Sequence, residues 1–163
     1  MEIRKATLND WNELERIFGC ARAFMQRNGN GTQWVDGYPQ EELVTRDIVN
    51  GDCYCLVGAG GRIAGTFTFI SGEDPNYRTI YNGSWPNHKP YGTIHRLASD
   101  GSEKGVADAC FGWCCSRFDV IRADTHRDNT VLRHLLAKYG FRPCGTVRVA
   151  NGTERLAFQW ERE

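Results

Sequence analysis

Apolar residues recur at three- and four-residue intervals near the start of the chain, which predicts an amphipathic helix. The apolar face of this helix consists of Trp11, Leu14, Phe18, Ala21 and Met25. The weakly alternating residues 2–6 before it predict an opening strand. Residues 28–39 after it are rich in glycine and asparagine and predict an exposed loop. A shorter helix is expected from Pro39 to Ile48, where Asn50-Gly51 ends the pattern.

The centre of the chain is rich in residues that favour β-strands. Residues 53–59 and 62–70 meet at Gly60-Gly61. This arrangement predicts a hairpin, because a two-glycine turn supplies positive φ at both central residues. Residues 72–90 form a long loop, and a loop of this length in a compact domain usually has a function. Residues 91–98 predict the next strand.

The last part of the chain alternates between helices and strands. Helical spacing resumes near Lys104, residues 118–125 predict a strand, and a further helix starts after Asp128 or Asn129. Two closing strands flank Asn151-Gly152, which predicts a hairpin with a type I′ turn. We therefore expect a single domain over residues 1–163, of the α/β (α+β) class, with a mixed sheet flanked by helices.

Composition narrows the function classes. The 20 acidic and 20 basic residues cancel, so no overall field attracts nucleic acid or an anionic membrane. No apolar run reaches the ~20 residues that cross a bilayer, and the polar N-terminus lacks a signal-peptide core. The 7 cysteines are irregularly spaced, which favours reduced, buried thiols in a cytoplasmic protein over a disulfide scaffold or a metal site. We expect no bound metal.

The junction between strand 91–98 and the following helix offers the first candidate chemistry. Unpaired N–H groups at a helix start attract anions, and Gly105 allows a phosphate to approach the backbone. A glycine at this position also fits a simple helix boundary. The sequence contains no GxxxxGK[ST], GxSxG or HExxH, which excludes those phosphate-loop, hydrolase and metalloprotease motifs.

Two motifs resemble those of a known family. The segment Asn129…Leu135-Leu136-Ala137-Lys138-Tyr139-Gly140-Phe141 resembles the "N…A…lYeklGF" signature of the GNAT superfamily of N-acetyltransferases. Upstream, Ser102-Glu103-Lys104-Gly105-Val106-Ala107 is similar to the Q/R-x-x-G-x-G/A pyrophosphate loop of that family. The order of elements matches along nearly the whole chain. The resemblance implies a splayed GNAT-like sheet, acetyl-CoA as cosubstrate, and acetyl transfer to a primary amine of a small molecule or peptide.

The resemblance also implies which residues contact acetyl-CoA. Backbone groups of Leu97 and Ser99 would contact the pantetheine arm, and the N–H groups of Glu103 to Ala107 would hold the pyrophosphate. Asn129 would bind the arm from the opposite side. The full expected set is Leu97, Ser99, Ser102, Glu103, Lys104, Gly105, Val106, Ala107 and Asn129, with Arg133 and Lys138 near the nucleotide phosphates.

The sequence departs from the family pattern at two positions. Ser102 replaces the long polar side chain that braces the loop, where Lys104 would supply charge instead. Leu136 stands five residues before Phe141, at the place of the frequent general-acid tyrosine. Tyr139 lies about 300° further round the helix and is expected to pack rather than to catalyse. These departures favour an alternative function, a degenerate GNAT domain that binds CoA as a sensor or interaction module without turnover.

Acetyl transfer requires a base that accepts a proton from the amine. Tyr91, Thr93, His95 and Leu97 alternate in one predicted strand and are expected to share a face. Histidine is a common proton acceptor in enzymes, so His95 is the first candidate for a catalytic role, with Tyr91 the second. A structural hydrogen bond within the sheet fits His95 equally well.

Acceptor-binding side chains are expected from residues 28–38 and 72–90. The candidates are Trp34, Asp36, Tyr81 and Trp85. An aromatic wall beside Asp36 suits a small amine or an N-terminal amino group. The same aromatic residues also fit a cover of the sheet or a homodimer contact.

Overall fold

The computed structural model describes residues 1–163 and contains the expected seven strands and four α-helices in the expected order. The strands are β1 Glu2–Lys5, β2 Cys53–Val57, β3 Ile63–Ser71, β4 Gly92–Ser99, β5 Val120–Thr125, β6 Arg142–Arg148 and β7 Glu154–Glu161. The helices are α1 Trp11–Arg27, α2 Glu41–Val49, α3 Val106–Arg117 and α4 Thr130–Lys138. The strands form one mixed sheet in the order β1-β2-β3-β4-β5-β7-β6, which confirms the predicted class.

The chain divides into two compact units. Unit 1 comprises Met1–Phe69 and His95–Trp113, and unit 2 comprises Ile70–Ile94 and Cys114–Glu163. Strand β4 contributes residues to both units. The single domain over residues 1–163 therefore stays a prediction.

The core of unit 1 is built on the apolar face of α1. Leu14 and Ile17 are fully buried there, and Phe18 is 3 % exposed, as the helical spacing predicts. Strands β1, β2 and β3 run antiparallel beside one another. The antiparallel pairing of β2 with β3 confirms the predicted hairpin. Gly60 and Gly61 both lie in the left-handed region, with φ of 73° and 79°. The loop nevertheless comprises residues 59–61 rather than the two glycines alone, since Gly58 N donates to Arg62 O at 2.8 Å.

The core strands of unit 2 are β5, β7 and β6, which pair antiparallel. Strand β4 joins β5 as a parallel neighbour, through the pairs Gly92↔Ile121 and Thr93↔Arg122. The hairpin between β6 and β7 is confirmed, but the predicted type I′ turn is wrong.

The β6–β7 turn contains one residue more than a two-residue turn. Gly152 has a φ of 81°, whereas Asn151 is not in the left-handed region. Gly152 N donates to Val149 O at 2.8 Å, and Val149 N donates to Thr153 O at 3.1 Å. This is the pattern of a three-residue loop in which a left-handed glycine follows an ordinary turn.

The cysteines behave as small apolar residues. None forms a disulfide, and Cys53, Cys55, Cys110 and Cys114 are buried as expected, whereas Cys20, Cys115 and Cys144 are only half-buried. No helix of the structure combines the length and the apolar character needed to span a membrane.

Candidate functional site

The turn of residues 100–105, between β4 and α3 in unit 1, is the candidate anion site. Helix α3 begins at Val106, and Ala109 N donates to Gly105 O at 2.9 Å. The N–H groups before Ala109 therefore lie at the open end of the helix. Gly101 and Gly105 have φ of 77° and 84°, which side chains rarely allow. The turn thus presents backbone donors in a conformation that suits an anionic group such as a phosphate.

A buried carboxylate anchors this turn. Asp100 Oδ1 accepts from Ser102 N at 2.8 Å, and Asp100 Oδ2 accepts from Arg16 Nη1 at 2.9 Å. The Asp100 side chain is 2 % exposed. Burial raises the pKa of Asp100, but the hydrogen bonds from Ser102 and Arg16 outweigh that effect, so the pKa lies below its ordinary value. Arg16 also donates to Ile63 O at 3.2 Å, which connects α1, β3 and the turn.

A second carboxylate fastens the other side of the turn. Glu103 Oε1 accepts from Ala59 N, in the β2–β3 turn, at 2.8 Å. A Cβ atom on Gly58 would lie 2.2 Å from the same oxygen, so a side chain there would displace the carboxylate. Arg16 and Glu103 thus brace the turn from two sides, although Ser102 lacks a long side chain. Sequence reasoning missed Arg16, because 84 positions separate it from Asp100.

Strand β4 contains an irregularity that the alternating pattern did not predict. Arg96 has a φ of 52°, in the left-handed region that a residue with a Cβ atom seldom occupies. Regular alternation along Tyr91–Leu97 is therefore interrupted one residue after His95. The expectation that Leu97 shares a face with His95 through simple alternation is wrong for this reason.

A buried ion pair holds Arg96 in this conformation. Arg96 donates to Asp47 Oδ2 from Nε at 2.9 Å and from Nη2 at 2.7 Å. The two side chains are 9 % and 6 % exposed. Arg96 Nη1 also donates to the Tyr38 hydroxyl at 3.1 Å. Because a buried charge without its partner is costly, this network determines the backbone path beside His95.

The structure connects one predicted acceptor residue of unit 1 to this network. The Trp34 ring contacts Tyr38, with 5.7 Å between the ring centroids, and Tyr38 contacts Arg96. Asp36 is exposed, with a φ of 56°, and His95 is half-buried. Trp34 is therefore placed near the irregular segment of β4, while Asp36 stays at the surface.

In unit 2, an arginine joins two of the predicted site residues. The Arg122 guanidinium lies 3.9 Å from the Trp85 ring centroid and 4.0 Å from that of Tyr91. The Tyr91 hydroxyl accepts from Asp74 N at 2.7 Å, and Trp85 Nε1 donates to Tyr77 O at 2.9 Å. Sequence reasoning missed Arg122, whose position inside a strand has no distinctive motif.

Tyr81 is not part of this group of aromatic residues. Its backbone N–H and carbonyl pair with those of Thr146 on β6, both at 2.8 Å. Its ring is 44 % exposed and lies against the guanidinium of Arg148, 5.1 Å from the ring centroid. The predicted acceptor residues Trp85 and Tyr81 therefore have different surroundings.

The signature helix α4 carries the remaining predicted residues. Asn129 Oδ1 accepts from Leu132 N at 3.1 Å, so Asn129, rather than the alternative Asp128, is the N-cap of α4. Arg133 Nη1 donates to Arg127 O at 2.9 Å, and both Arg133 and Lys138 are exposed. Leu136, at the position of the usual tyrosine, is fully buried.

Solved acetyltransferase structures have the same fold. An acetyltransferase of the GNAT family from Streptococcus agalactiae 2603 shares 31 % identity and a TM-score of 0.89, covering 99 % of this chain and 95 % of its own. A GNAT-family acetyltransferase from Listeria monocytogenes 4b F2365 shares 17 % identity and a TM-score of 0.73, covering 99 % and 94 %. The ribosomal-protein-alanine N-acetyltransferase from Brucella melitensis shares 16 % identity and a TM-score of 0.64, covering 99 % and 100 %. The two more distant structures show the fold alone. No protein-family model and no curated protein matches the sequence.

Proposed function

The chain belongs to the GNAT family of acetyltransferases, and from this premise we propose that it transfers the acetyl group of acetyl-CoA to a primary amine of a small molecule or peptide. The observation that supports acetyl-CoA binding is the turn of residues 100–105. Its left-handed Gly101 and Gly105 lie at the open end of α3. Arg16 and Glu103 hold it in place. This donor set fits a pyrophosphate.

Acetyl-CoA would supply the acetyl group as a thioester, and residues of this chain would bind it. The N–H groups of Glu103–Ala107 would hold the pyrophosphate, with Ser102, Lys104 and Gly105 in the same turn. Leu97 and Ser99 would offer backbone groups to the pantetheine arm. The remaining contacts are assigned to Asn129, Arg133 and Lys138, of which Asn129 also caps α4.

His95 is proposed as the base. It would take the proton that the amine loses while the new C–N bond forms and the C–S bond breaks. Tyr91 is the second candidate, although its hydroxyl accepts from Asp74 N. The thiolate that leaves takes up a proton from solvent, because Leu136 offers none.

Trp34, Asp36, Tyr81 and Trp85 are proposed to contact the acceptor. A cytoplasmic location and a homodimer contact remain predictions, as does the absence of nucleic-acid, membrane and metal partners. The alternative function, a CoA-binding sensor or interaction module, is favoured by the buried Leu136.

The first test is a calorimetric titration of the reduced protein with acetyl-CoA, with desulfo-CoA as a control. We expect both to bind at micromolar strength or better. No binding would overturn the proposed function. Binding without CoA release from any member of an amine panel would favour the sensor alternative.

The second test is the turnover of His95→Ala, with the exposed His134→Ala as the matched control. Loss of a general base is expected to lower kcat about 10²–10⁴-fold, and the control should keep its turnover. Unchanged turnover in His95→Ala would contradict the assignment of the base.

A further inference from the structure

Three polar side chains form a row on one face of the sheet in unit 2. The strand register pairs Thr93 with Arg122, and Arg122 with Gln159. Directly paired residues project to the same face of a sheet. Thr93 is fully buried, Arg122 is 4 % exposed and Gln159 is 3 % exposed. Burying a polar group costs free energy unless the group is hydrogen-bonded, so three buried polar side chains in one row require an explanation.

The positive charge of Arg122 has no anionic partner. Nε donates to Gln159 Oε1 at 2.8 Å, and Nη2 donates to Asn87 O at 3.1 Å. The guanidinium also lies over the rings of Trp85 and Tyr91, 3.9 Å and 4.0 Å from their centroids. All of these partners are neutral, and burial lowers the pKa of Arg122 below its ordinary value. Stacking on aromatic rings offsets part of this cost, but a carboxylate would offset more.

Two hydrogen-bonding atoms of the same row have no partner. They are Gln159 Nε2 and Thr93 Oγ1, both buried. Gln159 Nε2 belongs to the amide whose oxygen accepts from Arg122, so this donor lies next to the guanidinium. An anionic oxygen bound there would satisfy the charge and the donor together.

An acidic residue lies one step further along β5. Asp124 follows Arg122 by two positions in an unbroken ladder with β7, so both lie on the same face, roughly 7 Å apart along the strand. Asp124 is half-buried, and its Oδ2 accepts from the Tyr77 hydroxyl at 2.5 Å. Burial and the adjacent Asp124 raise the pKa of Tyr77, so its hydroxyl stays a donor. This face of the sheet therefore carries a guanidinium, on Arg122, and a carboxyl group, on Asp124, that one small molecule could contact together.

We propose that Arg122 and Asp124 select an acceptor that carries both a carboxylate and an amine, that is, an amino acid. The carboxylate binds the Arg122 guanidinium and Gln159 Nε2, and the amine donates to Asp124. Trp85 belongs to the loop of residues 72–90, and its ring, 3.9 Å from the guanidinium, would have to shift for the carboxylate to reach Arg122. This substrate class rests on the proposed function.

Turnover of matched acceptor pairs tests this selection. Each pair consists of an amino acid and the amine that lacks its carboxylate, for example leucine with 3-methylbutylamine and phenylalanine with phenethylamine. The better amino acids should show at least about tenfold higher kcat/KM than their matched amines when both values are expressed per concentration of unprotonated amine, because the amine of an amino acid is the less basic of the two. Equal values across all pairs, or a preference for the amines, would overturn the proposal.

Variants of Arg122 test whether its guanidinium causes the preference for a carboxylate. Arg122→Gln should abolish the preference for the carboxylate, and Arg122→Lys should restore part of it. Arg117→Gln is the control for losing an arginine, because Arg117 is exposed at the end of α3 and is not part of the row. A preference that survives in folded Arg122→Gln would contradict the proposal. Circular dichroism establishes that each variant is folded.

Binding of the acetylated products to the wild-type protein tests the proposal without requiring turnover or a variant. Calorimetry compares N-acetylleucine with N-(3-methylbutyl)acetamide, and N-acetylphenylalanine with N-phenethylacetamide, each with and without CoA. Tighter binding of the carboxylates supports the proposal, whereas equal or absent binding overturns it. Failure of the proposed function has a different signature, namely no acetyl-CoA binding or no turnover of any amine.

Discussion

Arg16 on α1 donates to Asp100 Oδ2 at 2.9 Å and so ties the first helix to the turn before α3. The same guanidinium donates to Glu13 Oε2 at 2.9 Å and to Ile63 O at 3.2 Å. Arg16 is therefore held by three elements before any ligand arrives. Because the turn is ordered during folding, binding does not have to supply that ordering entropy.

Replacing Arg16 with alanine should weaken acetyl-CoA binding. Asp100 would lose its charged partner, and the turn of residues 100–105 would become less ordered. We expect Kd to rise by roughly 3–10-fold and the free energy of unfolding to fall by about 1 kcal/mol. Calorimetry and urea unfolding measure the two effects.

Arg4→Ala is the matched control for that variant. It removes another arginine–aspartate pair of unit 1, with Arg4 Nη1 at 2.9 Å from Asp10 Oδ2, far from the turn along the chain. Its Kd for acetyl-CoA should stay unchanged. Equal Kd values for the two variants would contradict the role of Arg16.

Gly58→Ala should act on the turn through Glu103. The added Cβ atom would lie 2.2 Å from Glu103 Oε1 and would move the carboxylate away from Ala59 N. We therefore expect weaker acetyl-CoA binding in Gly58→Ala. In the Glu103→Ala background the same substitution should have almost no further effect, because the contact is already absent.

Gly112→Ala controls for a general effect of losing glycine. A Cβ atom on Gly112, within α3, would meet nothing within 4 Å. This variant should be more stable in urea by about 0.5–1 kcal/mol, with unchanged Kd.

Additive effects of Gly58→Ala and Glu103→Ala on Kd would show that the two residues act independently.

Stability should depend on pH through Asp10. The hydrogen bond from Arg4 lowers the pKa of Asp10 to about 2. Because the pKa in the folded state lies below the unfolded value near 4, the stabilisation is present above about pH 4 and is lost as the pH falls toward 2. Urea unfolding of wild type and Asp10→Asn should differ by about 1 kcal/mol at pH 7, since the Arg4 side chain is partly exposed, and should converge near pH 2. A difference that stays constant over this range would argue against the ion pair.

The buried thiols should resist modification in the folded protein. Burial raises the pKa of Cys53 to about 11 and that of Cys55 to about 12, so neither forms a thiolate at pH 8. Cys110 and Cys114 are buried as well. Iodoacetamide followed by mass spectrometry should leave these four unmodified until urea is added. Rapid labelling of Cys53 or Cys55 in the native protein would show that β2 opens.

The local features of the fold could be predicted from the sequence. Leu14 and Phe18 lie on the buried face that helical spacing indicates, and Asn129 caps α4 as predicted. The β6–β7 turn was misjudged because Asn-Gly is compatible with more than one loop length. The irregularity at Arg96 was missed because it depends on Asp47, which stands 49 positions away.

Some features of the candidate site could likewise be predicted from the sequence, and others could not. The turn around Gly105 and the signature residues of α4 were visible as motifs, because their spacing is set within a few consecutive residues. The sequence indicates Trp85 through its place in the loop of residues 72–90 and Tyr91 through its place in the predicted strand. Their shared contact with Arg122 could not be predicted, since it depends on how the loop of residues 72–90 folds over β5.

The sequence by itself determined the order of helices and strands, the buried face of α1 and the left-handed conformation of turn glycines such as Gly60 and Gly61. These depend on periodicity and on the φ preference of single residues, which neighbouring residues reveal. Only the tertiary structure decided which charged groups meet: Arg16 with Asp100, Arg96 with Asp47, and Arg122 with two aromatic rings. Such contacts join residues that are distant in the chain, and side-chain charge has no periodic signal that identifies its partner.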